Sequence, residues 1–297
     1  MSTALLILPN FVLIVIGLAL ARRFDFGRDF WAGLEKLVYY LLFPALLFRS
    51  LAVARIDFAA QALPIAASLV FTAAGFALSV AAGPIFRLDR KLNASGSQCG
   101  YRFNTYVGLA IAGSLFGNPG VATAALLLGV MIPLANFFAV AMLAAHGNRG
   151  FLRELATHPL LVSSLAGLAW NAAGLPLPGF ADQTLNLLAI CALPAGLLSV
   201  GAAMRIEEGV GPAAAHAWWL VVKLAAVPAI ALGLVRAFGL HGVEASVVVL
   251  CAALPTASNA YILAVRMTGD GRAVATQITI GTVISMATLP LWMAIAA

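Results

Sequence analysis

Pro44-Ala45-Leu46-Leu47-Phe48-Arg49-Ser50-Leu51-Ala52-Val53-Ala54-Arg55-Ile56 has a loose second copy in Pro194-Ala195-Gly196-Leu197-Leu198-Ser199-Val200-Gly201-Ala202-Ala203-Met204-Arg205-Ile206. The Pro-Ala and Arg-Ile pairs recur at one offset, 150 residues, as do Pro9 with Pro159 and Gly17 with Gly167. Further on, Asn104-Thr105-Tyr106 answers Asn259-Ala260-Tyr261 at an offset of 155, and Val121-Ala122-Thr123 answers Val274-Ala275-Thr276 at 153. Small loop insertions and deletions produce such a drift. Residues 1–144 are thus rewritten as 151–297, and each copy is strongly apolar. A duplicated apolar domain is the building plan of secondary transporters.

Composition sets the solvent. Of 297 residues, 63% are hydrophobic and only 9% charged, against roughly 25% charged in a soluble domain. A soluble fold of this length cannot bury so much apolar side chain, so the surroundings are lipid. The net charge of +6 does not point to nucleic acid, because the basic residues sit singly or in pairs at the ends of apolar runs. Cys99, Cys191 and Cys251 are far apart, have no metal-ligand spacing and predict no disulfide. Ala19-Leu20-Ala21 resembles a signal-peptidase site, but no basic segment precedes it and Arg22-Arg23 follows, so a retained first helix is expected.

Ten apolar runs follow, at about 5–21, 34–53, 62–84, 103–117, 121–144, 159–175, 183–204, 215–238, 245–267 and 274–296. Breakers fill the linkers, as in Asn118-Pro119-Gly120, Leu175-Pro176-Leu177-Pro178-Gly179 and Gly269-Asp270-Gly271. Arg87–Gly100 reads as a long polar linker. The chain divides into a first five-helix repeat, 1–146, a short connection, 147–158, and a second repeat, 159–297. Linkers after spans 1, 3, 5, 7 and 9, with adjoining helix ends, hold thirteen basic residues: Arg22, Arg23, Arg28, Lys36, Arg87, Arg90, Lys91, Arg102, Arg149, Arg153, Arg205, Arg266 and Arg272. The opposite side holds three, Arg49, Arg55 and Arg236. This asymmetry places the first set in the cytoplasm and both termini outside. Five helices per repeat is an odd number, so the second repeat enters the membrane inverted. The predicted fold is all-α, with ten transmembrane helices in two inverted five-helix repeats.

Leu37-Val38-Tyr39-Tyr40-Leu41-Leu42-Phe43-Pro44-Ala45-Leu46-Leu47-Phe48 resembles the second-helix motif of the auxin efflux carrier family, whose bacterial members include malonate-type transporters. Asn104-Thr105-Tyr106 followed by Gly117 resembles its fourth helix, and Leu254-Pro255 and Thr288-Leu289-Pro290-Leu291-Trp292 its ninth and tenth. The likeness runs over nearly the whole chain. It implies a fold similar to that of bile-acid and sodium/proton carriers, with helices 4 and 9 interrupted and crossing near the bilayer centre, where an organic anion binds. It also implies a homodimer. Plant members carry a long loop between helices 5 and 6, here about a dozen residues, and a proline at each crossing. This chain has Pro255 in span 9, and span 4 offers Gly108 and Gly113 in its place.

All eleven carboxylates lie in linkers or at helix ends, none inside a predicted span. That argues against a strongly ion-coupled cycle and against cationic substrates. Asn104 and Asn259 are amides in apolar runs at matching repeat positions. Each is expected to face the protein interior, because an amide left unpaired in lipid costs several kcal/mol. Each contacts substrate or caps a helix break. Thr105, Tyr106, Thr256, Ser258 and Tyr261 supply nearby polar atoms, and Pro255 removes a ladder donor. Half-helix N-termini at the two breaks suit a carboxylate. Asn136 and Gln277 are second-choice pore residues, with an interhelical hydrogen bond as the plainer reading. Lys223, inside span 8, is expected to snorkel past Trp218 and Trp219 to the cytoplasmic headgroups; the sharper alternative is a cation that draws in anions or fixes a gate. Pro44 and Pro194 are expected to kink their helices.

Enzyme, ATPase and metal-site signatures are missing: there is no His-Glu-x-x-His, Gly-x-Ser-x-Gly or Walker loop, and the four histidines do not cluster. No cofactor is predicted. The sequence therefore predicts a secondary carrier of small organic anions in the bacterial inner membrane. The alternatives are a channel or a sodium- or proton-coupled symporter of the same fold.

Overall fold

The computed structural model of this chain describes residues 3–24, 26–54, 61–143, 159–257 and 259–296. The connection 147–158, the Arg55-Ile56 pair and Ser258 lie outside the described residues. All regular structure among the described residues is helical. The first half comprises α1 (Thr3–Arg23), α2 (Gly27–Leu37), a π-helical turn (Val38–Leu42), α3 (Phe43–Ala52), α4 (Ala62–Val80), α5 (Ala82–Phe86), α6 (Arg90–Tyr101) and α7 (Thr105–Leu143). The second comprises α8 (Pro159–Ala172), α9 (Gly179–Ala202), α10 (Ala213–Val221), a second π turn (Val222–Ala226), α11 (Val227–Ala237), α12 (Gly242–Ala253), α13 (Asn259–Arg266) and α14 (Gly271–Ala296).

Among the described residues, seven helical stretches are long and apolar enough to cross a membrane: Leu5–Arg23, Asp29–Ala52, Ala62–Phe86, Arg90–Leu143, Gly179–Ala202, Ala213–Ala237 and Gly271–Ala296. The 54-residue stretch Arg90–Leu143 contains predicted spans 4 and 5, while spans 6 and 9 correspond to shorter helices. The linker expected at Asn118-Pro119-Gly120 contracts to one residue. Gly117, at φ 61° and ψ −151°, is the single non-helical position inside α7, a conformation open to glycine and closed to most side chains. Large apolar side chains cover the outside. Leu187 and Ile190 on α9 are 63% and 61% exposed, a disposition suited to lipid and unsuited to water.

Prolines explain the two π turns. Pro44 and Pro228 each follow a π turn by one residue and have no N–H for the carbonyl four residues back. The ladder shifts by one residue instead: Phe43 N–H donates to Val38 O, and Val227 N–H to Val222 O. The carbonyl that Pro228 leaves free, Leu224 O, accepts from the Trp292 indole at 2.8 Å. Pro44 thus widens its helix, whereas Pro194 lies within an uninterrupted α9.

The halves pack through reciprocal glycine contacts. A Cβ on Gly17 of α1 would collide with the Leu198 carbonyl of α9, and one on Gly167 of α8 would come within 2.6 Å of the Phe48 carbonyl of α3. Both members of the second pair match the first through the 150-residue offset, 17 with 167 and 48 with 198. The two contacts thus fall at positions that share the sequence offset.

Linkers gather in two groups. In one, Arg49 pairs with Asp182 at 2.7 Å, and the Asn171 amide donates to Ala52 O and Ala54 O at 3.1 and 2.6 Å. In the other, the Ser95 hydroxyl accepts from Asp270 N–H at 2.7 Å, and Thr279 and Thr276 pair with the peptide groups of Arg205 and Glu207. The 24-residue α9 connects Asp182 in the first group to Arg205 in the second. At 1.5 Å per residue that is about 36 Å, enough to cross a hydrocarbon core of about 30 Å.

Candidate substrate site at two helix breaks

The segment Asn93-Ala94-Ser95-Gly96-Ser97-Gln98-Cys99-Gly100 is not a linker. It forms most of α6, and every one of its residues is buried. Asp89 caps it, accepting from Leu92 N–H at 2.9 Å. Its small residues let it thread between neighbours: a Cβ on Gly96 would overlap the Trp219 ring, and one on Gly100 the Ser79 hydroxyl. Small polar residues score as linker on hydropathy, yet they are what a helix needs for close approach inside a bundle.

The first break is Arg102–Asn104, between α6 and α7. Arg102 is extended at φ −76° and ψ 157°. Neither Gly108 nor Gly113 makes this break; both lie within the helical α7. Asn104 ends the break by capping, its Oδ1 accepting from Tyr106 N–H at 3.1 Å and Val107 N–H at 3.2 Å. Gly108 serves another purpose: a Cβ there would stand 2.7 Å from the Leu254 side chain, so glycine lets α7 approach the second break.

That second break lies between α12 and α13, and Leu254-Pro255-Thr256-Ala257 are its described residues. The two breaks touch. Asn104 N–H donates to Pro255 O at 2.8 Å, and the Thr256 hydroxyl donates to Cys99 O, near the end of α6, at 2.7 Å. Four helix ends thus converge on one place. Asn104, Thr105, Pro255 and Thr256 are buried there, and Tyr106 is half-buried, its ring 4.3 Å from Phe43. A Cβ on Gly196, two residues after Pro194, would press on Phe43 at 2.9 Å and Tyr106 at 3.3 Å, so the helices carrying the repeated Pro-Ala motif both reach this place.

The paired amides differ. Asn104 is 2% exposed and occupied as a cap, whereas Asn259, the first residue of α13, is exposed. The expectation that both amides face inward is therefore corrected for Asn259. Two residues on, Tyr261 carries the Arg205 guanidinium over its ring at 4.3 Å. Both line a pocket of about 470 Å³ with Lys91, Glu207, Asp270 and Arg272. A second pocket of about 330 Å³, in the other linker group, is lined by Arg49, Gln61, Asn118, Thr123 and Glu244 among others.

Two buried basic side chains flank the breaks. Arg102, counted in sequence among the cytoplasmic linker charges, is 5% exposed, and its Nη1 donates to Gln98 Oε1 at 3.4 Å. Moving it inside leaves twelve basic residues against three in the charge count. Lys223 is 3% exposed and does not snorkel; its Nζ donates to Ala252 O, near the end of α12, at 3.0 Å. Trp218 and Trp219 do not mark headgroups beside it either. Their indoles donate to Leu78 O and Ser79 O at 2.8 and 3.1 Å, in the last turn of α4.

Gln277 is held by His216. Its amide donates to His216 O at 3.1 Å, and its Oε1 lies 2.7 Å from His216 Nδ1. That is an interhelical clamp between α14 and α10. Asn136 is half-buried on α7, and Gly113 packs against Val121. Sequence reading overlooks Arg102 because a charge beside a polar stretch looks like a linker charge. The signal that finds it is the pair of caps, Asp89 and Asn104, which bracket a helix between them.

A family model described as membrane transport protein matches residues 146–293. A Rhizobium meliloti protein described as "Putative malonate transporter" is 29% identical over 309 residues, covering 96% of this chain and 92% of that protein. An uncharacterized transporter of Methanothermobacter thermautotrophicus is 25% identical over 303 residues, covering 98% and 95%. An uncharacterized transporter of Methanocaldococcus jannaschii is 23% identical over 205 residues, 63% of each chain. With its apolar helices and the motifs in their order, the chain is an integral membrane protein that belongs to the membrane transport protein family, that of the auxin efflux carriers.

Proposed function

We propose that this chain is a secondary carrier, not an enzyme, that moves small organic anions across the cell membrane by alternating access. The anion binds where the two interrupted helices cross. The observation that carries this reading is the contact between the breaks, Asn104 N–H to Pro255 O at 2.8 Å. Unwound backbone at membrane depth is tolerated where it is enclosed by protein or lines a cavity, and carriers with paired broken helices bind substrate there. The reciprocal Gly17–Leu198 and Gly167–Phe48 contacts support two inverted five-helix repeats of ten transmembrane helices in all. The grouping of linkers supports the orientation read from charge, with both termini outside the cytoplasm. A bacterial inner membrane and a homodimer complete the proposal.

The sign of the substrate follows from the buried charges. Arg102 supplies a buried positive charge beside the crossing, where its Nη1 donates to Gln98 Oε1. Asn259, Thr105 and Tyr106 are the polar contacts, and the α7 and α13 N-termini add favourable dipoles. Tyr261 and Arg205 stack against each other in the lining of the 470 Å³ pocket, which is the proposed cytoplasmic vestibule. Malonate, named in the description of the Rhizobium relative, is the first compound to try. Purified protein in liposomes should take up labelled carboxylate in a saturable way and exchange it against unlabelled carboxylate inside. Unsaturated flux would replace the carrier with a channel, and no flux of any mono- or dicarboxylate would overturn the substrate class.

A further inference from the structure

Lys223 has no task in the carrier cycle just described, yet three elements fix its position. It lies in the π turn Val222–Ala226, which Pro228 imposes and the Trp292 indole seals at Leu224 O. Its ammonium is buried and bonded to Ala252 O at 3.0 Å. Ala252 is the next-to-last residue of α12, so this carbonyl belongs to the last turn of a half-helix that ends inside the protein. The last four carbonyls of any helix lack partners in the ladder, and they carry the negative end of its dipole. Among the described residues the ion pairs are Arg49–Asp182 and Arg205–Glu207, so no carboxylate is paired with Lys223 there. Its partner is the dipole end of α12.

The corresponding end of α6 is closed by neutral chemistry, the Thr256 hydroxyl on Cys99 O. In carriers built on broken helices, unwound carbonyls and half-helix C-terminal ends are where sodium ions or protons are held. We propose that the Lys223 ammonium is a resident cation that occupies the carbonyl end of α12 in place of a bound sodium ion. The substrate-binding state then forms without sodium. This inference rests on the carrier reading for its functional meaning. The occupancy of the carbonyl end can be measured without transport.

The experiment is thermal unfolding of purified full-length protein in detergent, in sodium chloride and in choline chloride at equal ionic strength. The wild type should show the same midpoint in both salts. Lys223→Met keeps the bulk and removes the charge, and should lower the midpoint by roughly 5 °C or more in both salts. Lys223→Ala opens the space, and should be lowered in choline but partly restored by sodium. If Lys223→Met does not fold while Lys223→Arg does, the requirement for a cation is upheld. Sodium stabilisation of the wild type, or a Lys223→Met midpoint equal to that of wild type, would overturn the proposal. Malonate uptake into liposomes with and without sodium separates the two readings. Absent uptake counts against the carrier and leaves the salt comparison intact, and uptake that requires sodium counts against the resident cation.

Discussion

At the first break the chain crosses from α6 to α7 through Arg102, Phe103 and Asn104. A side-chain amide, a hydroxyl from the other break and an arginine bonded to Gln98 settle its polar groups. At the second, Leu254-Pro255-Thr256-Ala257 leads from α12 towards α13, a proline has removed one donor, and an ammonium from a neighbouring helix faces the carbonyl end. The positions correspond through the repeat, but the chemistry does not. Each break solves the problem of a helix ending inside the protein with the residues it has. The first break is tied down by its own Asn104, while the second leaves Asn259 exposed. In the proposed site, that division makes the first break the fixed side and the second the accessible side.

Several substitutions would break or sharpen this contrast. Arg102→Gln is expected to have the largest effect, lowering malonate uptake in liposomes by more than about tenfold, since a charged hydrogen bond contributes roughly 1.5–3 kcal/mol. Uptake equal to wild type would reduce Arg102 to a structural partner of Gln98. Gly108→Ala and Gly17→Ala come next, as each Cβ would meet an occupied position. Overpacking costs about 1–3 kcal/mol, and the drop in unfolding midpoint in detergent reads it directly. If Gly108→Ala folds with an unchanged midpoint, the close approach of α7 to Leu254 is not needed.

The amides should then separate by readout. Asn104→Ala removes a cap worth about 1 kcal/mol and should lower the midpoint. Asn259→Ala should leave the midpoint unchanged and lower uptake. A loss of stability in both variants, with uptake equally reduced, would restore the symmetric view of the two breaks. Thr256→Val should show the smallest effect. It removes one hydrogen bond of about 1 kcal/mol and leaves the Cys99 carbonyl without that donor. Wild-type stability in this variant would mean that another donor replaces the hydroxyl.

Much of the frame is legible in the chain because it follows from sums and periods. The membrane solvent needs only the 63% hydrophobic composition, and the expectation of a repeat needs only residues matched at offsets of 150, 153 and 155. The Pro255 interruption is visible because proline cannot donate. The α6 half-helix is not visible by the same means. Serine, asparagine and glycine between residues 93 and 100 have low hydropathy, and burial by neighbours such as Trp219 and Ser79 is a property of those neighbours. Gly108 and Gly113 look like helix breakers in sequence, yet glycine is also the residue of close packing. Only the nearness of Leu254 to Gly108 decides between the two roles.

By itself, the sequence determined an all-helical, lipid-solvated chain and the neighbourhood of the Pro255 break, because apolar content and proline chemistry are local or additive properties. The tertiary structure alone decided where Arg102 and Lys223 go. An ionised side chain can lie at a lipid headgroup or deep within a bundle, and the two outcomes have the same local sequence. What separates them is whether a distant carbonyl or amide is placed to receive the charge. Ala252, 29 residues from Lys223, is placed to do so.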